Sequence, residues 1–503
     1  MTREKGRAVD WLMTLLGALW LGFFPLWQDG SYSHITRAKW LGMLALSGVT
    51  VAAVVAAVIV GYAAKGAKRP RWHPAQAVAL AYLAWLGLSA LFGDLADSVN
   101  SRGQMTVWMG AVRYEGLATQ GCYVLVFLMM SLFPARPRVV MNAAAVGLMV
   151  YGVIVAMQYA GDNPFGLFPA GRDVMNTPEF QGPIGNIDMV SCWLCLVMPV
   201  MLFSFALNRA GLLCLLAGTA GVLMLLLIEV QSGLIALAAV LAALLLTVLL
   251  RPEARCRGCV ALGCALAMVS LRLLLGLPWY DGTEYLMFPC EPAAWKFAPL
   301  LLTVALVALA VVFARRPGRA LPGGWIAALA AAGVVAALVG VMILPVPEGN
   351  GLWELREVLH GRAQDGFGSE RLGVWRLTLE ISRDHLLFGT GPDTFYYALR
   401  RHLAETGQSL WQNFDTPHNM LLAVLSGSGV PALLLYLALM VAVAAMCLRA
   451  FRRDPWPAAL LAGLAAYQLQ GLFTFSICLT APMFWAMLGM AVSQSCRREV
   501  TEK

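Results

Sequence analysis

Apolar runs of close to twenty residues recur along the whole of this chain, and that repetition leaves it few architectures. A run of about twenty apolar residues makes a helix long enough to cross the hydrocarbon core of a bilayer. In that medium the backbone must satisfy its own hydrogen bonds, which a helix does. Fourteen spans are predicted, at approximately 11–27, 40–63, 75–92, 117–133, 139–160, 185–207, 210–228, 233–250, 258–278, 297–314, 323–345, 419–447, 457–475 and 478–495. The stretch 211–250 is interrupted by Glu229, Gln231, Ser232 and Gly233, and its length requires two helices. Composition agrees: of 503 residues, 60% are hydrophobic and 13% charged, against about 25% charged in an ordinary soluble domain. The first run, Trp11 to Trp27, lacks a small-residue cleavage site and reads as a retained helix. The expected class is an all-α polytopic integral membrane protein with 12–14 transmembrane helices.

The lysines and arginines set an orientation. Arg3, Lys5 and Arg7 precede the first span, and Lys65, Lys68, Arg69 and Arg71 follow the second. Every other connection after that is basic, through Arg136 and Arg138, Arg209, Arg251 to Arg257, Arg315 to Arg319, and Arg449 to Arg453, to Arg497 and Arg498 at the end. The intervening short loops are acidic or nearly neutral, with Asp94, Asp97, Asp162, Asp173, Asp281, Glu284 and Glu291. Both termini are therefore expected in the cytoplasm. The net charge of +8 is a topology signal and gives no ground for nucleic-acid binding. Of the 11 cysteines, only Cys290 falls in a predicted outer loop, which implies no disulfide framework. Cys192-x-x-Cys195 and Cys256-x-x-Cys259 each lack the second ligand pair of a zinc site.

One connection breaks the short-loop pattern. Residues 346–418 form a polar outer segment, and a connection that long is usually functional. Two helices are predicted in it. One covers Leu352 to Leu359; the other starts at Ser369 as N-cap and runs to His385. In the second, Leu372, Trp375, Leu379 and Ser382 share one face, and Arg376, Glu380 and Arg383 another. A Gly-rich turn, Gly389 to Asp393, follows.

Polar residues collect on the predicted outer side. Arg113 and Glu115 precede the fourth span, Asn186 and Asp188 open the sixth, and Arg272 lies near the outer end of the ninth. The long loop adds Arg371, Arg376, Arg383 and His418. Ionisable groups at membrane depth are costly and mark candidate sites, although Arg272 can also snorkel to the interface. The guanidinium fork matches phosphate oxygens, so Arg371 is a candidate anion ligand. Ion pairing with the loop's own acidic residues is the alternative. His418, at the membrane–water boundary, suits acid–base work, or else a plain helix-start role. The other histidines show no metal-ligand spacing.

Several of these patterns occur in an order that resembles the O-antigen ligase and polymerase superfamily. They are Ser369-Glu-Arg371-Leu-Gly-Val-Trp375, then Leu386-Leu-Phe-Gly389-Thr-Gly391-Pro-Asp-Thr-Phe395, then His418-Asn419 entering a helix that bears Gly429. Arg113-Tyr-Glu115-Gly116 and Gly185-Asn186-Ile-Asp188 look similar too. The resemblance covers residues 210–445 best, between N-terminal helices 1–209 and C-terminal helices with a cytoplasmic tail, 446–503. It implies a glycosyltransferase C-like bundle with one large extracytoplasmic loop. The donor would be a polyprenyl-diphosphate-linked glycan, as with undecaprenyl diphosphate, and the acceptor a saccharide or glycolipid. Transfer would invert at the anomeric carbon, at the outer face of a bacterial cytoplasmic membrane, with no metal or cofactor. Arg371 and His418 match the family's loop arginine and histidine and become the expected catalytic pair. Arg376, Arg272, Arg113, Glu115, Asn186 and Asp188 become expected substrate-binding residues. The family usually has Ser-Arg-Gly where this chain has Glu229-Val-Gln-Ser232-Gly233, so a second diphosphate-binding cation must come from elsewhere. Arg272, Arg113 and Arg376 are the candidates, in that order. The rival class is a flippase or exporter of a lipid-linked saccharide. That class would place charge through the membrane interior and would not need a long outer loop.

Overall fold

Apolar periodicity without strand alternation folds as helix throughout. The computed structural model describes residues 2–63, 70, 72–97, 106–169, 180–207, 209–275, 297–315, 339–343, 348, 351–410 and 412–496. Sixteen α-helices lie among them: α1 Thr2–Ala18, α2 Ile35–Ala63, α3 Pro74–Phe92, α4 Leu117–Leu132, α5 Pro137–Tyr159, α6 Ile187–Ala206, α7 Leu212–Ile228, α8 Gln231–Leu250, α9 Arg255–Leu275, α10 Ala298–Arg315, α11 Gly351–Leu359, α12 Arg371–Asp384, α13 Phe395–Thr406, α14 Met420–Ala450, α15 Trp456–Gly471 and α16 Ala481–Ser495. The strands among these residues are one antiparallel pair, Phe180–Gln181 with Gly185–Asn186. Helix occupies thirteen of the predicted spans, and the split of 211–250 falls at Glu229 and Val230. The span at 323–345 lies outside the described residues except for 339–343, as do Cys290 and its loop. Among the described residues, nine helices are long and apolar enough to cross a membrane. Two more apolar helices, α4 and α7, are shorter.

Two helices form the axis of the bundle. Every residue of α6 from Met189 to Ala206 is buried, and so is α16 from Ala481 to Gln494. A helix apolar all round belongs in such a position. Close approach is bought with small residues: a Cβ on Gly463 of α15 would lie 2.1 Å from the Leu196 carbonyl of α6, and one on Gly489 of α16 2.5 Å from that of Phe127 in α4. At the end of α1 the helix widens into a π-turn, Leu19–Phe23, and tightens into a 3₁₀ turn at Phe24–Leu26. The carbonyls freed there accept from the fully buried Lys39 ammonium, at 2.7 Å for Phe24 and 2.9 Å for Pro25.

Charge separates the two ends. Arg136, Arg209, Arg251 and Arg257 sit at one end, stacked on Trp11, Phe451 and Phe205 or paired with Asp454. Helices α11 to α13 cap the other. Helices α12 and α13 form a small second core in which Val374, Leu377, Ile381, Phe395 and Leu399 pack on Leu95, Val107 and Phe414. The buried face of α12 is Val374, Leu377, Thr378, Ile381 and Ser382, while Leu379, read on one face with Leu372, Trp375 and Ser382, is 45% exposed. Ser369 is not the N-cap: Glu370 takes that position in left-handed backbone (φ 64°), without a side-chain cap bond. The loop holds three helices in place of two. Phe395–Thr406 had been read through as part of a polar loop.

The cap is sewn to the bundle at a break in α14. Gly429 has φ 80° and ψ 178°, and the carbonyls of Ser426, Gly427 and Ser428 leave the helix ladder. They accept from Thr390 N (2.8 Å), Gly391 N (2.9 Å), Ser89 Oγ (2.9 Å) and Trp85 Nε1 (3.2 Å), while Val430 N donates to Leu386 O. The Gly389–Gly391 turn and the Ser426–Gly429 segment are two halves of one joint. This backbone region is nearly restricted to glycine, and a Cβ at Gly429 would meet the Leu387 carbonyl at 2.2 Å. Gly429→Ala is expected to destabilise the protein by about 3 kcal/mol or more. Gly48→Ala, where a Cβ meets nothing within 4 Å, serves as control. Thermal unfolding in detergent checks the pair, and equal melting temperatures would contradict the role of the joint.

Candidate functional site

The second half of the site is built on α14. Asn419 caps it: Oδ1 accepts from Leu421 N (3.0 Å) and Leu422 N (3.1 Å), and Nδ2 donates to Leu472 O (2.9 Å). The residue before the cap, His418, is held in left-handed backbone with φ 48°. A non-glycine residue in that region is strained and persists only where its surroundings hold it. Here the imidazole stands edge-on to Phe414 and Phe475, with centroids at 5.3 and 5.0 Å. Its Nδ1 lies 3.1 Å from the Thr416 carbonyl and 3.3 Å from the Thr416 hydroxyl. A carbonyl only accepts, so this contact selects the Nδ1–H tautomer and leaves a lone pair on Nε2.

Phe475 is shared. Its other contact is the Arg113 guanidinium, 4.9 Å from the ring centroid, and Arg113 Nε pairs with Asp415 Oδ2 at 2.5 Å. Two buried carboxyls fix this arrangement. Asp393 Oδ2 accepts from the backbone N–H groups of Val112 (2.8 Å), Arg113 (2.8 Å) and Glu115 (3.3 Å). Burial lifts the Asp393 carboxyl to about 6 against those three bonds, which lower it. Glu115, 9% exposed, accepts from Tyr123 Oη (2.8 Å), Cys478 N (2.7 Å) and Gln120 Nε2 (2.9 Å). Burial pushes Glu115 well above the usual carboxylate range, opposed by the bonds from Tyr123 and Cys478 and reinforced by the nearby Asp393 charge. The Glu115 carboxyl thus ties the loop before α4 to the loop before α16.

Arg371 is the first residue of α12. One turn on, Trp375 Nε1 donates to the Pro417 carbonyl at 2.9 Å and its ring meets Phe473 at 6.0 Å. That anchorage sets the start of α12 beside His418. Arg371 Nη1 donates to Gly368 O (2.9 Å), and its Nε is buried with no hydrogen-bond partner among the described residues. His418 is held below the ordinary histidine value, first by burial and then by the Arg371 charge. The Thr416 bond and the charges of Asp188 and Asp415 act the other way. Arg371, Asp188 and Asp415 therefore all lie within electrostatic reach of the imidazole.

Two cavities flank the Arg113–Asp415 pair. An open cleft of about 660 Å³ is lined by His418, Asp415, Arg113, Phe414 and the Tyr396–Tyr397 pair. An inner cavity of about 130 Å³ shares Arg113 and Asp415 and runs into the bundle.

The remaining candidates divide. Asn186 caps α6, its Oδ1 accepting from Asp188 N (3.0 Å) and Met189 N (3.4 Å), and this presents Asp188 in the first turn. Arg376 lies on the exposed face of α12, held by Asp365 (2.7 Å), Glu380 (2.9 Å) and Gln408 (3.3 Å), and lines neither cavity. Arg272 is 9% exposed and paired with Glu229, with its Nε buried and unpartnered among the described residues. It too lines neither cavity, and Arg371 lines neither itself; of the candidate arginines Arg113 lines both. Ser232 sits in a polar link between helices, accepting from Gln470 Nε2 at 3.3 Å. Sequence reasoning did not single out Asp415, Asp393 or Phe475. Asp415 stood three residues before His418 and could have been found from that neighbourhood.

Residues 297–437 match the family model described as O-antigen ligase (Wzy_C). The matched segment holds Arg371, Asp393, Asp415, His418 and the joint at Gly389 and Gly429. Arg113, Glu115, Asn186, Asp188 and Arg272 lie outside it. Comparison with curated proteins finds no match.

Proposed function

We propose that this chain, whose residues 297–437 match the O-antigen ligase family model, transfers glycan from a polyprenyl-diphosphate-linked donor to a saccharide or glycolipid acceptor. The reaction takes place at the outer face of a bacterial cytoplasmic membrane. The cap end faces outward and the arginine-stacked end faces the cytoplasm, in keeping with the retention of basic residues on the cytoplasmic side. The observation that carries this reading is a cleft lined by His418, in its Nδ1–H tautomer, with Arg113 and Asp415, and, within electrostatic reach of the imidazole, Arg371, whose Nε has no hydrogen-bond partner among the described residues.

In the proposed step an acceptor hydroxyl attacks the anomeric carbon. A new C–O bond forms as the C–O bond to the diphosphate breaks. The hydroxyl proton goes to His418 Nε2, and the lipid diphosphate leaves with the bonding pair. Arg371 meets the charge that grows on the leaving group. Fixed cations in a partly dry cleft are effective here because they need no reorganisation as the charge develops. Attack from the face opposite the leaving group inverts the sugar. Asp188 and Asp415 flank the imidazole and favour the imidazolium that forms.

Purified protein in detergent, given lipid-diphosphate glycan and acceptor in the presence of EDTA, should release lipid diphosphate and a longer glycan. Detergent abolishes the two compartments that transport requires. Donor left unconsumed under these conditions would favour an exporter instead.

A further inference from the structure

We infer that the inner cavity behind the Arg113–Asp415 pair is a subsite for the terminal sugar ring of the acceptor glycan. This rests on the transferase reading above and adds a place for the second substrate.

The cavity's floor is buried in the bundle and formed by Tyr82, Tyr123, Tyr436, Phe484 and Trp485. Its mouth, at Arg113 and Asp415, is common to the His418 cleft. A volume of about 130 Å³ is about ten times the ~10–15 Å³ in which a single water fits. That suits one sugar ring and excludes a run of isoprene units. A pocket closed at its floor takes the end of a chain. The first sugar of the donor carries the diphosphate on one side and the rest of the glycan on the other, so it has no free end to insert. The acceptor has one, and the hydroxyl that attacks is on it.

The lining has the chemistry of a saccharide site: flat aromatic faces with a few convergent polar groups. Tyr82 is the telling residue. It is 3% exposed, its ring packs with Tyr436 (5.9 Å) and Trp485 (6.2 Å), and its hydroxyl bonds no protein group among the described residues. Tyr82 lines the cavity, and a sugar hydroxyl there gives its own hydroxyl a partner. By contrast, Tyr436 Oη is already engaged by Gln468 and Met420, and Glu115 by three donors. A purely apolar guest would leave the Tyr82 hydroxyl without a partner.

The experiment uses the full chain in lipid nanodiscs, with lipid-linked glycan and acceptor extracted from a strain that lacks the protein. Tyr82→Phe removes one oxygen that touches no protein atom, so the fold has nothing to lose. Ala423→Leu, from a cavity wall on α14, reduces the space. Tyr82→Phe should raise the acceptor KM by up to about tenfold, the range of one neutral hydrogen bond. The donor KM should stay within twofold. Ala423→Leu should raise the acceptor KM further. An unchanged acceptor KM in both variants, or a shift in donor KM instead, overturns the subsite. His418→Ala, run alongside, separates the two ideas: if it retains full transfer, the transferase reading itself fails.

Discussion

Replacing His418 with alanine should lower glycan transfer by about 10²–10⁴-fold, the usual contribution of a positioned general base. The loss should fall on kcat more than on either KM, because the imidazole acts as the proton moves. His418→Asn is the companion variant. Asparagine tolerates the left-handed backbone that this position adopts (φ 48°), so a loss there reflects lost chemistry and not a collapsed joint. The pH dependence carries a sign. The working form is the neutral imidazole, so the rate falls as pH drops through the histidine's value. Burial and Arg371 hold that value below the ordinary 6.5, which places the acid limb below pH 6.5. Transfer assays across pH on purified protein check both points; an acid limb above pH 6.5 would contradict the assignment of the base.

Arg371→Ala should cost about 10²–10³ in kcat, the range for removing one preorganised group that stabilises developing negative charge. Arg371→Lys should recover part of this and not all, because a point charge does not reproduce the fork that grips two phosphate oxygens. The variant has a second effect of opposite origin. Arg371 is one of the causes that lower the His418 value, so removing it moves the acid limb to higher pH. A kcat loss without that shift would mean that Arg371 and His418 act in separate places. Arg376→Ala is the comparison on the same helix. Its guanidinium is committed to Asp365 and Glu380 on the exposed face, and such surface pairs contribute about 1 kcal/mol or less.

What could be read in the sequence was what depends on neighbours in the chain. Twenty-residue apolar runs report helices, and the acid–base alternation of loops reports sides. Glycines at 389, 391 and 429 stood out as punctuation, and the structure uses them together in one joint. What could not be read depends on residues far apart in sequence. Asp393 fixes Arg113 from 280 positions away, and Cys478 N reaches Glu115 across 363. Tyr82 looked like one aromatic among many in an apolar run, and only its packing against Tyr436 and Trp485 places it in the wall of the inner cavity. Glu115, expected among the substrate-binding residues, lines the inner cavity, and its oxygens also join two loops.

The central claim is that a lipid diphosphate seats against Arg371, beside the cleft that His418 lines. An experimental structure of the full chain in nanodiscs with a polyprenyl methylene-diphosphonate, whose bridging carbon resists cleavage, tests it directly. The account predicts phosphonate oxygens within hydrogen-bond distance of Arg371 and the lipid leaving toward the bilayer. Diphosphonate seated at the arginine-stacked opposite end, or against Arg376 on the exposed face of α12, would contradict it.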